Sequence, residues 1–304
     1  MRVGRLAALL LAAALSVVGV AAVAGCAADQ RPAPELVVGS SSDTESTLLA
    51  AIYVAALRSY GFGARPQTAT DPMAKLDSGA FTVLPAFTGR TLQALQPGAS
   101  VLEDGQVYRA MIAALPEGIA AGDFTTAAVD EPRLMVTPAT AAAWGGGDLS
   151  ALPAHCAGLV VGALRGTVGT VGTVGSVGSV GGGQTPSAVG SCRLPAPHEF
   201  PDRTTMLAAL RAGELTAAWT TTANPDNPAD LVLLYDGKPA LIRAENVVPL
   251  YRRNALSTRQ LLALNEIAGV LDTAALADMR RQVDGGADPQ AVAGGWLAEH
   301  PLGH

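Results

Sequence analysis

The chain is poor in aromatic rings: five Phe, five Tyr and three Trp make up 4% of its 304 residues. It is also short of positive charge, with 20 Lys and Arg against 26 Asp and Glu, a net charge of −6. No basic stretch exists beyond the first few residues, so the electrostatic footprint of a nucleic-acid-binding protein is missing. The three cysteines form no Cys-x-x-Cys pair, so a zinc-thiolate frame is not expected. No Gly-x-Ser-x-Gly elbow occurs, and His155, His198, His300 and His304 fall in loops or at the end of the chain. Pro301 and Gly303 disfavour the helix that would align His300 with His304 on one metal. These absences argue against a hydrolase, and no catalytic residue, metal or cofactor is expected.

The N-terminus carries a strong pattern. Arg2 and Arg5 precede an almost wholly apolar run from Leu6 to Ala24, and Val23-Ala24-Gly25-Cys26 follows. A positive start, an apolar middle and small residues before a cut describe an export signal. The ending resembles a lipobox, where lipid is attached to a cysteine thiol and the chain is cleaved before it. Cys26 is therefore the expected lipidation site, and an uncleaved membrane anchor is the competing reading. Either way the remaining chain is expected on the extracytoplasmic face, tied to the cell membrane. No second apolar segment reaches spanning length. In an exported chain Cys156 and Cys192 suggest one disulfide, since the nearby His155 and His198 lack zinc-ligand spacing.

Residues 27–34 are polar and Pro-bearing and read as a tether. Glu35–Gly39 reads as a buried strand. Ser42 and Glu45 have capping-box spacing before Leu48, Leu49, Ile52, Tyr53, Ala56, Leu57 and Tyr60, which share one helical face. A strand, a polar loop and a helix open an α/β domain, and such loops usually carry ligands. Further strands are expected at Thr82–Leu84, Leu134–Thr137, Leu159–Gly162, Ala217–Thr220, Leu231–Leu234 and Asn246–Arg252. Helices are expected at Met206–Ala212, from Ser257 with Gln260 in capping-box position, after Thr273, and from Pro289. From Gly166 to Val180 a Gly-Thr-Val or Gly-Ser-Val triplet occurs five times, which reads as an expanded surface loop.

Several segments, in order, resemble the glycine betaine/carnitine/choline-binding proteins of ABC importers. They are Val38-Gly39-Ser40 with Thr44-Glu45, Phe87-Thr88-Gly89, Ala114–Gly118, Val136-Thr137 with Ala139-Thr140-Ala141, and Glu199–Arg203. Gly213-Glu214-Leu215, Asn246–Pro249 and Asp288-Pro289 with Ala293 and Trp296-Leu297 complete the set. The resemblance implies an α/β, two-lobed, periplasmic-binding-protein-like Venus flytrap of type II, each lobe a sheet flanked by helices. Lobe one would be 35–131 and 246–304, and lobe two 132–245 with the Gly-rich loop 166–183. Two extended crossings, near Glu131–Thr137 and Asn246–Arg252, would form the hinge. The implied function is capture of a small osmoprotectant-type solute and delivery to an ABC permease and, indirectly, its ATPase, by a monomer without a catalytic step.

The resemblance also implies a tyrosine cage, because a quaternary ammonium is held by the negative faces of aromatic rings. Carried over, the cage positions are Phe87, Pro132, Thr221 (with Trp219 two residues away) and Glu245, so one ring is retained. Arg90 stands where the family has a threonine. Two readings stay open. Trp219 or Tyr251 restores a cage from nearby, or the ligand is a polar, polyhydroxylated or aromatic solute without a quaternary ammonium, in a transporter component or a sensor. Ser41, Ser42, Asp43, Thr88 and Arg203 complete the expected ligand set, Arg203 as a carboxylate contact or, alternatively, a surface ion pair.

Overall fold

The computed structural model describes residues 35–165 and 185–303. Cys26, the tether and the triplet repeat lie outside the described residues. The chain opens with β1 (Leu36–Ser40), α1 (Thr44–Ser59), β2 (Ala64–Thr68), α2 (Pro72–Asp77), β3 (Val83–Phe87), α3 (Thr88–Leu95), α4 (Asp104–Ala114) and β4 (Ile119–Ala121). The middle holds β5 (Pro132–Val136), α5 (Pro138–Ala143), β6 (Val161–Leu164), β7 (Ala188–Val189), β8 (Cys192–Arg193), β9 (His198–Phe200), α6 (Arg203–Ala212), β10 (Ala217–Thr221) and β11 (Val232–Leu233). The chain ends with β12 (Val247–Arg252), α7 (Thr258–Asn265), α8 (Ile267–Val270), α9 (Thr273–Asp284) and α10 (Pro289–Glu299).

Two five-stranded sheets organise these elements, in the orders β2-β1-β3-β12-β4 and β11-β5-β10-β6-β9. In the first, β1 runs parallel to β2 and β3, and β12 is antiparallel to β3 and β4. In the second, β10 is parallel to β6 and antiparallel to β5. Each sheet has apolar side chains on both faces, so each must be covered twice. One face of the first sheet packs on α1, α7, α9 and α10, and the other on α2, α3 and α4. The second sheet divides its apolar residues in the same way, around Trp219 on one side and Met206 and Leu210 on the other.

The central helix α1 is buried along most of its length, with Leu48, Ile52, Tyr53, Ala56 and Leu57 sealed from solvent. Its start differs from the expected one. Asp43, not Ser42, is the N-cap, accepting a hydrogen bond from Ser46 N at 2.9 Å, and Glu45 turns inward instead of closing a capping box. A carboxylate one residue closer to the helix serves the first turn better than the Ser42 hydroxyl. The capping box at Ser257 and Gln260 is present, and Asp288 caps α10 ahead of Pro289. In β1, Gly39 is required by close approach, since a Cβ there would lie 2.0 Å from the Phe81 ring.

The chain passes between the sheets through residues 122–131 and returns through 234–246. These connections pair with each other: Asp130 N donates to Glu245 O at 3.0 Å, and Val247 N to Ala128 O at 3.2 Å. The segments expected as the hinge are mostly strand interior instead, β5 in the second sheet and β12 in the first. Both expected segments are extended, and extension alone does not distinguish a strand from a crossing. A third segment joins them. After β10, Thr222 bonds Val129 O and Glu131 N through its hydroxyl, and Ala223 enters the core beside α1.

Cys156 and Cys192 form a disulfide, 36 residues apart in sequence, that ties the Leu149–His155 turn to the β7–β8 hairpin. Closing a loop of that length restricts the unfolded chain by about 3–4 kcal/mol. The double variant Cys156→Ala/Cys192→Ala should therefore lose about 3–4 kcal/mol of unfolding free energy in a urea titration followed by circular dichroism, with a larger m-value as the unfolded chain expands.

Candidate functional site

The C-terminal end of β3 leads straight into α3 through Phe87-Thr88-Gly89-Arg90; Phe87 pairs with Val247 of β12, and the next three residues dock on Ala244–Asn246 of the return crossing. Thr88 N donates to Asn246 O at 3.0 Å, and Asn246 N donates to the Thr88 hydroxyl at 3.1 Å. Arg90 N donates to Glu245 Oε2 at 2.8 Å, so Glu245 caps the positive end of α3 from outside the helix. Gly89 allows this approach, since a Cβ would stand 2.5 Å from Ala244 O and 2.7 Å from Glu245 Oε1.

The Arg90 side chain then folds back over the ring beside it. Its guanidinium carbon lies 4.2 Å from the centre of the Phe87 ring, which is 1% exposed. Arg90 Nη1 donates to Glu45 Oε2 at 2.8 Å, and Nη2 to Asp130 Oδ2 at 2.6 Å and Asp130 O at 3.1 Å. From α9, Arg280 Nη1 reaches Glu45 Oε1 at 3.0 Å, Ala223 O at 3.1 Å and Asp130 Oδ1 at 3.5 Å. Asp130 Oδ1 also accepts from Ala223 N at 3.1 Å. Two arginines, three carboxylates and one ring thus meet where the chain crosses between the sheets.

Burial and the neighbouring Asp130 push the Glu45 carboxyl up to about 8, against the pull of Arg90 and Arg280. Burial also raises Glu245, to about 7. Asp130 goes the other way, to about 2, because Arg90 and Arg280 outweigh its burial. Burial acts to lower Arg90, but Glu45 and Asp130 prevail and hold its pKa above the ordinary guanidinium value. Arg203, at the start of α6, is lowered by burial and feels both Asp226 and Arg280. Its Nη1 is buried without a hydrogen-bond partner, as are Nε of Arg90 and Nε of Arg280.

The profile of the family described as the substrate-binding domain of ABC-type glycine betaine transport systems matches residues 34–175 and 195–299. The chain belongs to this family. Its match spans both sheets and every member of the charged cluster. No curated protein sequence matches the chain. Among solved structures, apo YehZ from Escherichia coli is similar with a TM-score of 0.63 and 17% identity, over 88% of this chain and 99% of that one. A glycine betaine/carnitine/choline ABC transporter protein is similar with a TM-score of 0.64 and 17% identity, over 88% and 98% of the two chains. A choline-binding ABC-transporter protein in complex with choline has a TM-score of 0.50 and 15% identity, over 88% and 89%. At these identities the likeness is one of fold, the two-sheet α/β architecture described above.

In this family member the expected ligand residues separate into groups. Phe87, Arg90 and Glu245 come together at the crossing, with Thr88 buried behind them. Pro132 and Thr221 are cross-strand partners at the ends of β5 and β10, next to Asp130, whose charged form Thr221 favours. Arg203 approaches from α6. Ser41 and Asp43 are hydrogen-bonded to each other at 2.5 Å and engaged in capping α1, while Ser42 is exposed. Trp219 is a correction: it is 5% exposed and packs with Leu134, Leu149 and Leu152 in the core against the second sheet. It shares with Ala217 the face of β10 that packs on Leu149 and Leu152, while Ala218 faces α6 on the other side. Tyr251 also lies elsewhere, since it pairs with Val83 at the opposite end of β3 from Phe87, roughly 13 Å along the strand. Neither ring supplements Phe87. Glu45, Asp130 and Arg280 went unanticipated as site residues. Burial of Arg90 demanded acidic partners, but nothing local in the sequence pointed to α9.

The pKa shifts carry a testable sign. Glu45 and Glu245 ionise at about 4.3 when unfolded but hold their protons to about 8 and about 7 when folded. Their stabilisation is full below the unfolded pKa and is lost as pH rises through the folded values. Asp130 contributes above its unfolded pKa and loses that contribution as pH falls toward 2. The melting temperature should therefore fall between about pH 5 and 8, and Glu45→Gln, which keeps a neutral side chain, should flatten that fall. A melting temperature that rises over the interval would show Glu45 ionised in the folded state.

Proposed function

We propose that this protein is the extracytoplasmic solute-capture component of an ABC importer, anchored through lipid on Cys26 and acting as a monomer without a catalytic step. The observation that carries the reading is the family match, which runs through both sheets and both crossings. A small solute would bind between lobe one, 35–131 with 246–304, and lobe two, 132–245. Closure would pivot on the paired crossings and present the loaded form to a permease driven by a separate ATPase. Phe87, Arg90, Arg203, Thr221 and Glu245 form the proposed ligand-facing set, with Pro132 shaping its edge. The family description favours glycine betaine, and the solved structure described as a glycine betaine/carnitine/choline ABC transporter widens that to choline and carnitine. A second reading, a polar solute without a quaternary ammonium, is favoured by Arg90 covering the Phe87 ring.

The importer role is tested by purifying the tagged full-length chain from its native membranes. It should bring down an ABC permease with its ATPase and stimulate ATP hydrolysis when added back. Recovery of the chain with no transporter subunit counts against the role. The anchor is tested separately: Cys26→Ala should abolish radiolabelled palmitate incorporation and leave the chain unlipidated.

A further inference from the structure

We propose that Arg90 is a built-in cation occupying the face of the Phe87 ring where the chain crosses between the sheets, so that the site selects carboxylate-bearing solutes without a quaternary ammonium. The inference rests on the importer reading and names its substrate class.

The first argument is occupancy. A quaternary ammonium gives no N–H, so it is recognised by a ring face together with nearby negative charge. Phe87 offers the ring, and Glu45 with Asp130 offers the charge. Arg90 already takes both, lying 4.2 Å over the ring and bonding the two carboxylates at 2.8 and 2.6 Å. The guanidinium therefore satisfies the same three groups that a ligand cation would need. It is attached covalently, so a diffusing cation would have to displace a group whose effective concentration never falls. Trp219 and Tyr251 provide no alternative ring, being in the second lobe's core and at the far end of β3.

The second argument is what the arginines leave unsatisfied. Arg90 Nε, Arg280 Nε and Arg203 Nη1 are buried donors without acceptors. A buried donor left unmet is costly, and a ligand oxygen arriving there is favoured. Arg203 comes from the second lobe and Arg280 from α9, within electrostatic reach of each other. Asp226 offsets Arg203, and Glu45 with Asp130 offset Arg280, which leaves the unpartnered Arg203 Nη1 and Arg280 Nε as donors for an incoming carboxylate.

The test uses the chain with its Cys156–Cys192 disulfide intact and calorimetric titration. Tetramethylammonium, choline and glycine betaine are the cationic probes; acetate, glutarate and citrate are the anionic ones. The unaltered chain should show no saturable binding of the cationic probes at millimolar concentration and should bind at least one anionic probe. Arg90→Ala uncovers Phe87, Glu45 and Asp130, so it should gain affinity for tetramethylammonium and choline by about tenfold or more. Low-millimolar guanidinium should raise the melting temperature of that variant and leave the unaltered chain unmoved. If Arg90→Ala fails to fold, Arg90→Gln removes the charge while keeping a hydrogen-bonding side chain, and the same gain is expected. Micromolar binding of glycine betaine or choline by the unaltered chain overturns the proposal and leaves the importer role intact. A folded Arg90 variant that gains no cation binding also overturns it. Loss of the transporter partners in the membrane purification overturns the importer role instead.

Discussion

A guanidinium cannot be buried in a protein of this kind without compensation, and the arrangement around Arg90 is organised by that constraint. Removing a charge from water costs several kcal/mol even after the surroundings relax. Arg90 recovers that cost from Glu45, Asp130 and the face of Phe87, and each comes from a different place. Glu45 lies in the first turn of α1, Asp130 in the outgoing crossing, and Phe87 at the end of β3. One side chain therefore fixes how the first helix, the central strand and the connection between the sheets meet. The remaining oxygen of Glu45 and that of Asp130 are taken by Arg280, which brings α9 into the same arrangement. Truncating one member leaves the others buried and unpaired, which is why such clusters behave as units.

The position of the cluster matters as much as its composition. Arg90 donates from its guanidinium to the backbone carbonyl of Asp130 in one crossing and, from its own amide, to the carboxylate of Glu245 in the other. In the functional reading proposed above, any rotation of one sheet against the other would turn about Ala128–Asp130 and Glu245–Val247. These are the atoms that the cluster grips. Ligand chemistry and lobe movement would then share the same few residues, so that filling the unmet donors of Arg203 and Arg280 bears directly on the geometry of closure.

Much of the fold was legible because it rests on local rules. The α1 face at Leu48, Leu49, Ile52, Tyr53, Ala56 and Leu57 follows helical spacing, and these residues are buried. The Ser257–Gln260 box and the Pro289 entry are set by orphan amides within a single turn. The misplacements have physical causes of the same kind. Ser42 lost the cap to Asp43 because a carboxylate one residue on meets Ser46 N more favourably. Trp219 was placed near the ligand by sequence proximity to Thr221, yet two residues span roughly 7 Å along a strand, and Trp219 packs in the second sheet's core while Thr221 ends β10 beside Asp130. The hinge was placed in β5 and β12 because a crossing and a strand are both extended chain, and only hydrogen bonding between 128–130 and 245–247 separates them.

By itself the sequence determined the alternation of strands and helices, the scarcity of rings, and the presence of an arginine at position 90. Each of these depends on residue type and short-range spacing. Only the tertiary structure decided what that arginine does. Its partners Glu45, Asp130 and Arg280 are 45, 40 and 190 residues away, and sequence spacing carries no information about charges brought together over such distances. The chain could show that a ring had been kept at Phe87. It took the folded molecule to show that the ring already holds a cation of the protein's own.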